Sequence, residues 1–124
     1  MRDREHEDLT SRTRRFALAV VRLCVTLPKS MISSVLGRQL LRSGTSVGAH
    51  YREACRAKSN ADFISKIEGA LQELDETAYW LELLRDAGIT KTDAAERLMT
   101  ESNELIAIFV SVVRRVKAAP LKPA

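Results

Sequence analysis

One helix has both of its ends marked in the sequence, and it lies within residues 59–88, SNADFISKIEGALQELDETAYWLELLRDAG. Ser59 can cap this helix, because its hydroxyl can accept from a backbone amide one turn on, and an acid follows at Asp62. Apolar side chains then recur at the three- and four-residue steps of one buried helix face, at Phe63, Ile67, Ala70, Leu74, Ala78 and Leu81. Gly88 can close the helix in a left-handed turn. We therefore predict a helix over about 60–87.

Two further helices precede this one. The first is predicted over about 9–27, and Pro28 ends it because its ring removes a backbone donor. The second is predicted over about 30–57, with Ser30 as its cap. The spacing of apolar residues predicts one buried face on each helix. On the first helix this face is Leu9, Thr13, Phe16, Val20, Leu23 and Leu27. On the second helix it is Ile32, Leu36, Leu40, Ser43, Val47, His50 or Tyr51, and Ala54.

A fourth helix is predicted over about 91–118, where Thr90 and Asp93 repeat the capping pattern. Its buried face is read as Ala94, Leu98, Ser102, Leu105, Phe109, Val112 and Val116. Four helices with connections of only a few residues predict an all-α, antiparallel up-down-up-down four-helix bundle, a single domain over residues 1–124.

The composition excludes other classes of protein. The chain has 124 residues, 45% hydrophobic and 29% charged, which is typical of one globular domain and not of a disordered segment. Only three prolines and five glycines are present, which favours long helices over a sheet with many turns. The charged start is unlike a secretory signal, and no apolar stretch reaches the roughly 20 residues of a membrane span, so a cytoplasmic protein is expected.

The charge is unevenly distributed. Residues 1–58 carry 12 Lys/Arg and 5 Asp/Glu, whereas residues 59–111 carry 4 and 11, and residues 112–124 carry 4 and none. A basic block of this kind can bind polyanions, or it can pair with the acidic half of the same or another copy. The candidates for binding RNA or DNA are Arg12, Arg14, Arg15, Arg22, Arg38, Arg52, Arg56 and Lys58. Without interleaved stacking aromatics, binding is expected to be sensitive to salt and largely indifferent to base sequence.

Two helices carry more apolar residues than one buried face requires. These residues are Leu18, Val21 and Val25 on the first helix and Tyr79, Trp80 and Leu83 on the third. Two different apolar patches favour head-to-tail contacts between copies, which can close into a ring. We therefore predict that both patches form an oligomer interface. The alternative is that they are wide buried faces with scattered exposed apolar residues.

A polar cluster on the second helix is the feature that core packing explains least. Its members, at three- or four-residue steps, are Gln39, Arg42, Ser43, Ser46, His50 and Glu53. We interpret them first as a structural hydrogen-bond network in which Arg42 pairs with Glu73 or Glu76. The alternative interpretation is a groove that contacts anions.

Catalytic chemistry is not indicated. The only histidines are His6 and His50, and no Glu-x-x-His step occurs, so the ligand pattern of a di-iron bundle is missing. The stretch GTSVG at 44–48 lacks the lysine of a phosphate-binding loop. Cys24 and Cys55 are expected to be reduced thiols. We predict no enzyme activity, no metal site and no cofactor.

One run of the sequence resembles a known family. Its most specific parts are Gln39-Leu40-Leu41-Arg42-Ser43 followed by Ser46-Val47-Gly48-Ala49, Tyr51-Arg52-Glu53-Ala54, Ser59 with Asp62-Phe63, and the Glu76 to Leu84 segment with Tyr79-Trp80-Leu81-Glu82. Over about residues 16–116 the chain resembles the four-helix-bundle proteins encoded in intervening sequences of bacterial 23S ribosomal RNA genes. Relatives commonly carry asparagine where this chain has His50, so a role that needs a side-chain amide is not expected there.

The resemblance implies an antiparallel four-helix bundle that assembles as a homopentameric ring, without enzyme activity and in association with RNA. A related bundle is the accessory variability protein of diversity-generating retroelements. That protein resembles a basic pentamer that acts together with a reverse transcriptase. Two functions follow as expectations. The first is a homo-oligomer that binds structured RNA or DNA through a repeated basic surface. The second is a protein-interaction scaffold or accessory subunit of a nucleic-acid enzyme such as a reverse transcriptase.

Overall fold

A computed structural model describes the backbone of residues 2–119 and the side chains of residues 9–119. This part of the chain forms four helices and no strand: α1 (Arg2–Val25), α2 (Met31–Cys55), α3 (Asn60–Asp86) and α4 (Thr92–Ala118). The prediction of an all-α protein of four packed helices is confirmed. Residue 1 and residues 120–124 of the predicted domain lie outside the described part. Among the described residues, none of the helices is long and apolar enough to cross a membrane.

Three of the predicted helix ends are confirmed. The hydroxyl oxygens of Ser30 and Ser59 each accept a hydrogen bond of 3.0 Å, from the backbone amides of Ser33 and Asp62 respectively. Each serine thereby satisfies one of the amides that a helix start leaves without a partner. Gly88 has a φ of 71°, the left-handed conformation that favours glycine, directly after α3.

The start of α4 differs from the prediction. Its N-terminal cap is Lys91, without a side-chain hydrogen bond, and not Thr90. The amide of Thr90 donates to the carbonyl of Leu84 at 3.3 Å, so Thr90 still belongs to the turn that ends α3. The predicted cap of α4 is therefore wrong by one residue, because the backbone of Thr90 is part of the preceding turn.

α1 also starts earlier than predicted, at Arg2 and not near residue 9. Residues 2–8, RDREHED, contain no apolar side chain, so the helical period gives no signal there. Opposite charges three and four positions apart in this stretch of the sequence favour a helix. The apolar periodicity therefore does not mark the full length of α1.

The core follows the predicted faces, except that α4 buries Ala95 and Val113 where Ala94, Val112 and Val116 were predicted. Its largest fully buried side chains come from all four helices and include Phe16, Val20, Leu40, Leu74, Leu81, Leu105 and Phe109. α2 packs against α1 and α3, and α3 packs against α4, while α1 and α4 contact each other sparsely. The rings of Tyr51 and Phe109, with centroids 5.7 Å apart, join α2 to α4 across the core.

One residue assigned to the core faces outward. Ile32 is 60% exposed, whereas the next residue, Ser33, is only 3% exposed. Ser33 and Gly37 occupy the buried face in the first turns of α2 because the end of α1 and the turn after it approach there. The side chain of Leu27 lies against Gly37, and the thiol of Cys24 donates to the carbonyl of Gly37. The assignment of Ile32 to the buried face is therefore wrong, since apolar character was given more weight than the exact helical position.

Polar residues at core positions bond to helix backbone or to each other. The hydroxyl of Ser102 donates to the carbonyl of Leu74 at 3.0 Å, which links α4 to α3. The hydroxyl of Thr77 lies 2.9 Å from that of Ser43, which links α3 to α2. These bonds remove the cost of burying an unpaired hydroxyl, and they explain how serine and threonine occupy an apolar face.

Candidate nucleic-acid interface

The predicted basic residues lie on α1, on α2 and at the start of the following loop. Arg14, Arg15, Arg22, Arg38, Arg52, Arg56 and Lys58 are all exposed. Among the side chains of residues 9–119, no carboxylate forms an ion pair with any of these seven cations. Their charges are therefore available to a polyanion, and their separation along two helices makes a surface and not a pocket.

Arg12, the eighth predicted cation, is in a different situation. Its guanidinium donates to Glu101 at 2.7 Å through two nitrogens and to Glu104 at 3.0 Å. The hydrogen bonds to Glu101 raise the pKa of Arg12 above its ordinary value. This forked contact ties α1 to α4 along the side where these helices otherwise touch little. Arg12 thus acts within the bundle, which leaves seven cations for an external partner.

The polar cluster of α2 faces α3. Arg42 donates to Glu73 at 3.2 Å and to Glu76 at 2.5 Å, so it contacts both of the carboxylates proposed from the sequence. Desolvation lowers the pKa of Arg42, but the hydrogen bonds and charges of the two glutamates raise it by more. The pKa of Arg42 is therefore above its ordinary value. His50 Nε2 lies 3.8 Å from the same Glu73. Glu73 is therefore the centre of a network that joins α2 to α3.

The remaining members of the cluster also lie in this network or next to it. Gln39 Oε1 accepts from Arg42 at 3.4 Å, and the hydroxyl of Ser46 donates to the carbonyl of Arg42 at 2.6 Å. Ser43 meets Thr77, and Glu53 lies 3.9 Å from the ammonium of Lys66. His50 Nδ1 is buried without a hydrogen-bond partner in the described chain. The arrangement favours the structural interpretation over an anion-binding groove, because two carboxylates already occupy the only guanidinium in it.

We expect the replacement of Arg42 by alanine to affect folding and not binding. The free energy of unfolding should fall by about 1 kcal/mol, a discounted value because Arg42 is half exposed. Much of the loss would come from Glu73, which is 13% exposed and would lose its counter-charge. Urea unfolding followed by circular dichroism measures this change. Arg52→Ala, an exposed arginine on the same helix without an ion pair among described residues, is the matched control and should change stability by less than about 0.5 kcal/mol.

The two predicted apolar patches differ in exposure. In the α1 patch, defined as Leu18, Val21 and Val25, Val25 is 80% exposed and Leu18 is half-buried. In the α3 patch, defined as Tyr79, Trp80 and Leu83, only Tyr79 is exposed, and its ring packs against Trp80 at 5.1 Å. Four exposed apolar residues of α2 were not predicted to be exposed: Met31, Ile32, Val35 and Leu41. Met31, Val35 and Leu41 each lie one position from the predicted buried face, and this offset was the only signal for them.

The side chains of residues 9–119 include two cysteines and one histidine. In this part of the chain no three His, Cys, Asp or Glu side chains lie where they could hold a metal ion. Cys24 and Cys55 are both thiols that form no disulfide, and burial raises the pKa of both. A raised pKa disfavours the thiolate, which is the nucleophilic form.

Comparison with known proteins identifies a family and structural relatives. The model of the 23S rRNA-intervening sequence protein family matches residues 5–111. A crystal structure described as a protein with unknown function from the S23 ribosomal protein family of Bacteroides thetaiotaomicron is similar, with a TM-score of 0.82 and 37% sequence identity. The match covers 88% of this chain and 97% of that chain. No curated protein matches the sequence.

Proposed function

The chain belongs to the 23S rRNA-intervening sequence protein family, and from this premise we propose that it is a non-enzymatic homo-oligomer that binds structured RNA or DNA through a repeated basic surface. The basic surface consists of Arg14, Arg15, Arg22, Arg38, Arg52, Arg56 and Lys58 on α1, α2 and the following loop. Phosphate contacts by arginine and lysine supply affinity without base specificity, which suits a surface that lacks stacking aromatics.

One observation carries this proposal. Arg12 and Arg42 are neutralised by carboxylates of the same chain, yet the seven cations of the basic surface have no such partner among residues 9–119. The acidic residues of α3 and α4 are thus not used to compensate the basic surface within one subunit. A surface left uncompensated by its own acidic half is the electrostatic signature of polyanion binding.

Assembly into a ring is part of the proposal. We place the α1 patch of one copy against the α3 patch of the next, in a homopentamer of up-down-up-down bundles. The contacts between α2 and α3 run in opposite directions along the two helices, which supports the antiparallel arrangement. His50 of α2 lies near Glu73 of α3, whereas Glu53, which is later in α2, lies near Lys66, which is earlier in α3. Exposure supports the interface, because Val25 of the α1 patch is 80% exposed and Tyr79 of the α3 patch is 53% exposed.

Fluorescence anisotropy with a short hairpin RNA and a short duplex DNA, repeated over a salt series, tests the binding proposal. We expect binding near 50 mM salt, and an affinity that falls steeply as salt rises because counterions are released from the nucleic acid. Absence of binding at low salt contradicts the proposal. Native mass spectrometry of the same sample tests the ring, which a monomer at micromolar concentration would eliminate.

The exposed apolar residues favour a second function, a scaffold or accessory subunit for a nucleic-acid enzyme such as a reverse transcriptase. Four apolar side chains are exposed around the α1–α2 turn: Val25, Met31, Ile32 and Val35. Only Val25 takes part in the proposed ring contact. Apolar groups of this size on a small protein commonly mark a protein contact. A protein that forms rings but binds neither hairpin nor duplex at 50 mM salt would support this second function over the first.

A further inference from the structure

Three apolar side chains protrude from the first two turns of α2. Met31, Ile32 and Val35, called the α2 apolar tip from here on, are 79%, 60% and 55% exposed. Val35 lies four positions after Met31 and three after Ile32, so the three side chains share one face of the helix. None of them belongs to the core or to the ring contact proposed above. The tip is therefore an apolar surface that neither folding nor the proposed assembly covers.

The starts of the other helices show that such a surface is not needed to begin a helix in this bundle. α3 begins at Asn60 and α4 at Thr92, and the exposed residues after them include Asp62 and Asp93. Side chains such as methionine and isoleucine gain free energy when they leave water, so their exposure is a cost that a partner would remove.

The charge around the tip is of one sign. Lys29 lies just before the tip and Arg38 lies one helical turn after Val35, and both are exposed. Neither forms an ion pair with a described residue. The sequence has no acidic residue between Asp8 and Glu53. The apolar strip thus has a positive charge at each end, which is complementary to a partner that is both apolar and acidic.

The turn between α3 and α4 lies at the same end of the bundle in the antiparallel arrangement proposed above. Its carboxylates do not cancel the charge at the tip. Asp86 and Glu96 are both paired with Arg85, at 2.8 Å and 3.5 Å. Asp93 lies two positions after the exposed Lys91. This end of the molecule is therefore close to neutral at α3 and α4 and positive at α1 and α2.

A partner for the tip has to offer apolar contact and negative charge together. The phosphate backbone of RNA or DNA offers charge to a protein surface, but it gives protruding apolar side chains no apolar surface to enter. The surface of a bilayer that contains anionic lipids offers both, and it needs no matching shape. We infer that the α2 apolar tip inserts into the surface of an anionic membrane while Lys29 and Arg38 contact the lipid headgroups. The long stems of these two side chains let their charges reach the headgroups as the tip enters.

The backbone around the tip suits an environment that is poor in water. The amides of Ser33 and Ser34 donate to the hydroxyl and the carbonyl of Ser30, at 3.0 Å and 2.9 Å. The amide of Leu27 donates to the carbonyl of Cys24 at 3.2 Å. Amides that are bonded within the protein can leave bulk water without the cost of an unpaired donor.

Co-sedimentation of the full chain with large unilamellar vesicles tests the inference. We expect binding to vesicles with about one-third phosphatidylglycerol, and much weaker binding to pure phosphatidylcholine, at about 0.1 M salt. Met31→Ser, Ile32→Ser should bind at least about tenfold more weakly, because two apolar side chains no longer leave water. The matched control is Met31→Leu, Ile32→Leu, which keeps the apolar character and should bind within about twofold of the parent. Equal binding by the two double variants would overturn the inference. A chain that ignores anionic vesicles would also overturn it, and the tip would then be left to a protein partner.

A second pair of variants tests the charges. Lys29→Gln, Arg38→Gln should weaken binding to the anionic vesicles by about fivefold for each charge removed. Arg52→Gln, Arg56→Gln removes the same charge at the other end of α2, about 30 Å away, which is several Debye lengths. It should leave vesicle binding within about twofold of the parent. Equal losses in the two pairs would show adsorption through net charge alone, which contradicts insertion of the tip.

Ile32→Trp reports insertion directly. Brominated lipid in the anionic vesicles should quench the introduced indole, in excess of the quenching of Trp80 in the parent protein. Binding without this excess overturns insertion. Circular dichroism and the urea midpoint should be unchanged in all tip variants, since Met31 and Ile32 lie outside the core.

The hairpin RNA separates the tip from the proposed nucleic-acid binding. Met31→Ser, Ile32→Ser removes no charge and should leave RNA binding unchanged. Loss of RNA binding in this variant would assign the tip to the nucleic acid and overturn the membrane inference. A chain that binds anionic vesicles through the tip but binds no RNA would contradict the proposed function and leave the inference intact.

Discussion

Replacing Arg52, Arg56 and Lys58 together by glutamine should weaken binding of a short duplex by about 10²- to 10³-fold at 0.1 M salt. Each lost phosphate contact removes about 0.9 from the slope of log affinity against log salt, which amounts to nearly one decade at that concentration. The three cations lie at the end of α2 and in the loop that follows. The effect should therefore fade towards 1 M salt, where electrostatic attraction is screened.

The matched control removes the same charge from the other half of the molecule. The control replaces three exposed cations by glutamine: Lys91 at the start of α4, and Arg97 and Arg114 within α4. It lowers the net charge by the same three units as the first triple variant. Anisotropy should show at most a severalfold loss for this control, together with an unchanged salt slope. Equal losses in the two triple variants would mean that net charge, and not the basic surface on α1 and α2, determines binding, and the proposed interface would then be wrong.

The bundle was predictable because one physical signal dominates it. Apolar residues at helical spacing placed Phe16, Val20, Leu74 and Phe109 in the core, and the two serine caps fixed the starts of α2 and α3. Such signals act within one helix, so they can be read without knowing the neighbours. Errors arose where a neighbour decides, as at Thr90, whose amide is taken by the turn that ends α3.

The site was less predictable for the same reason. Positive charge can be counted in a sequence, but whether a cation is free depends on what packs beside it. Arg12 and Arg52 look equivalent as residues, yet only Arg12 meets two carboxylates of α4. Composition therefore indicated a class of partner, whereas packing selected the residues.

Of the glycines in the bundle, Gly44, at the contact between α1 and α2, should be the least tolerant of an added side chain. A Cβ atom placed there would lie 2.8 Å and 2.9 Å from the two methyl groups of Val20. Val20 is fully buried and β-branched, so it has neither space nor a second rotamer with which to yield. Gly44→Ala should lower the free energy of unfolding by about 1–3 kcal/mol through overpacking, even though alanine is the better helix former by about 1 kcal/mol.

Gly37 provides the matched comparison on the same face of α2. There an added Cβ would meet only the terminal methyl group of Leu27, at 3.0 Å, and a long flexible side chain can move aside. Gly37→Ala should therefore change stability by less than half as much as Gly44→Ala in urea unfolding. A double-mutant cycle with Val20→Ala identifies the cause, because opening space at Val20 should recover about 1 kcal/mol of the Gly44→Ala loss. Strictly additive losses would show that the two helices do not meet at this point, and the packing of α1 on α2 described above would have to be revised.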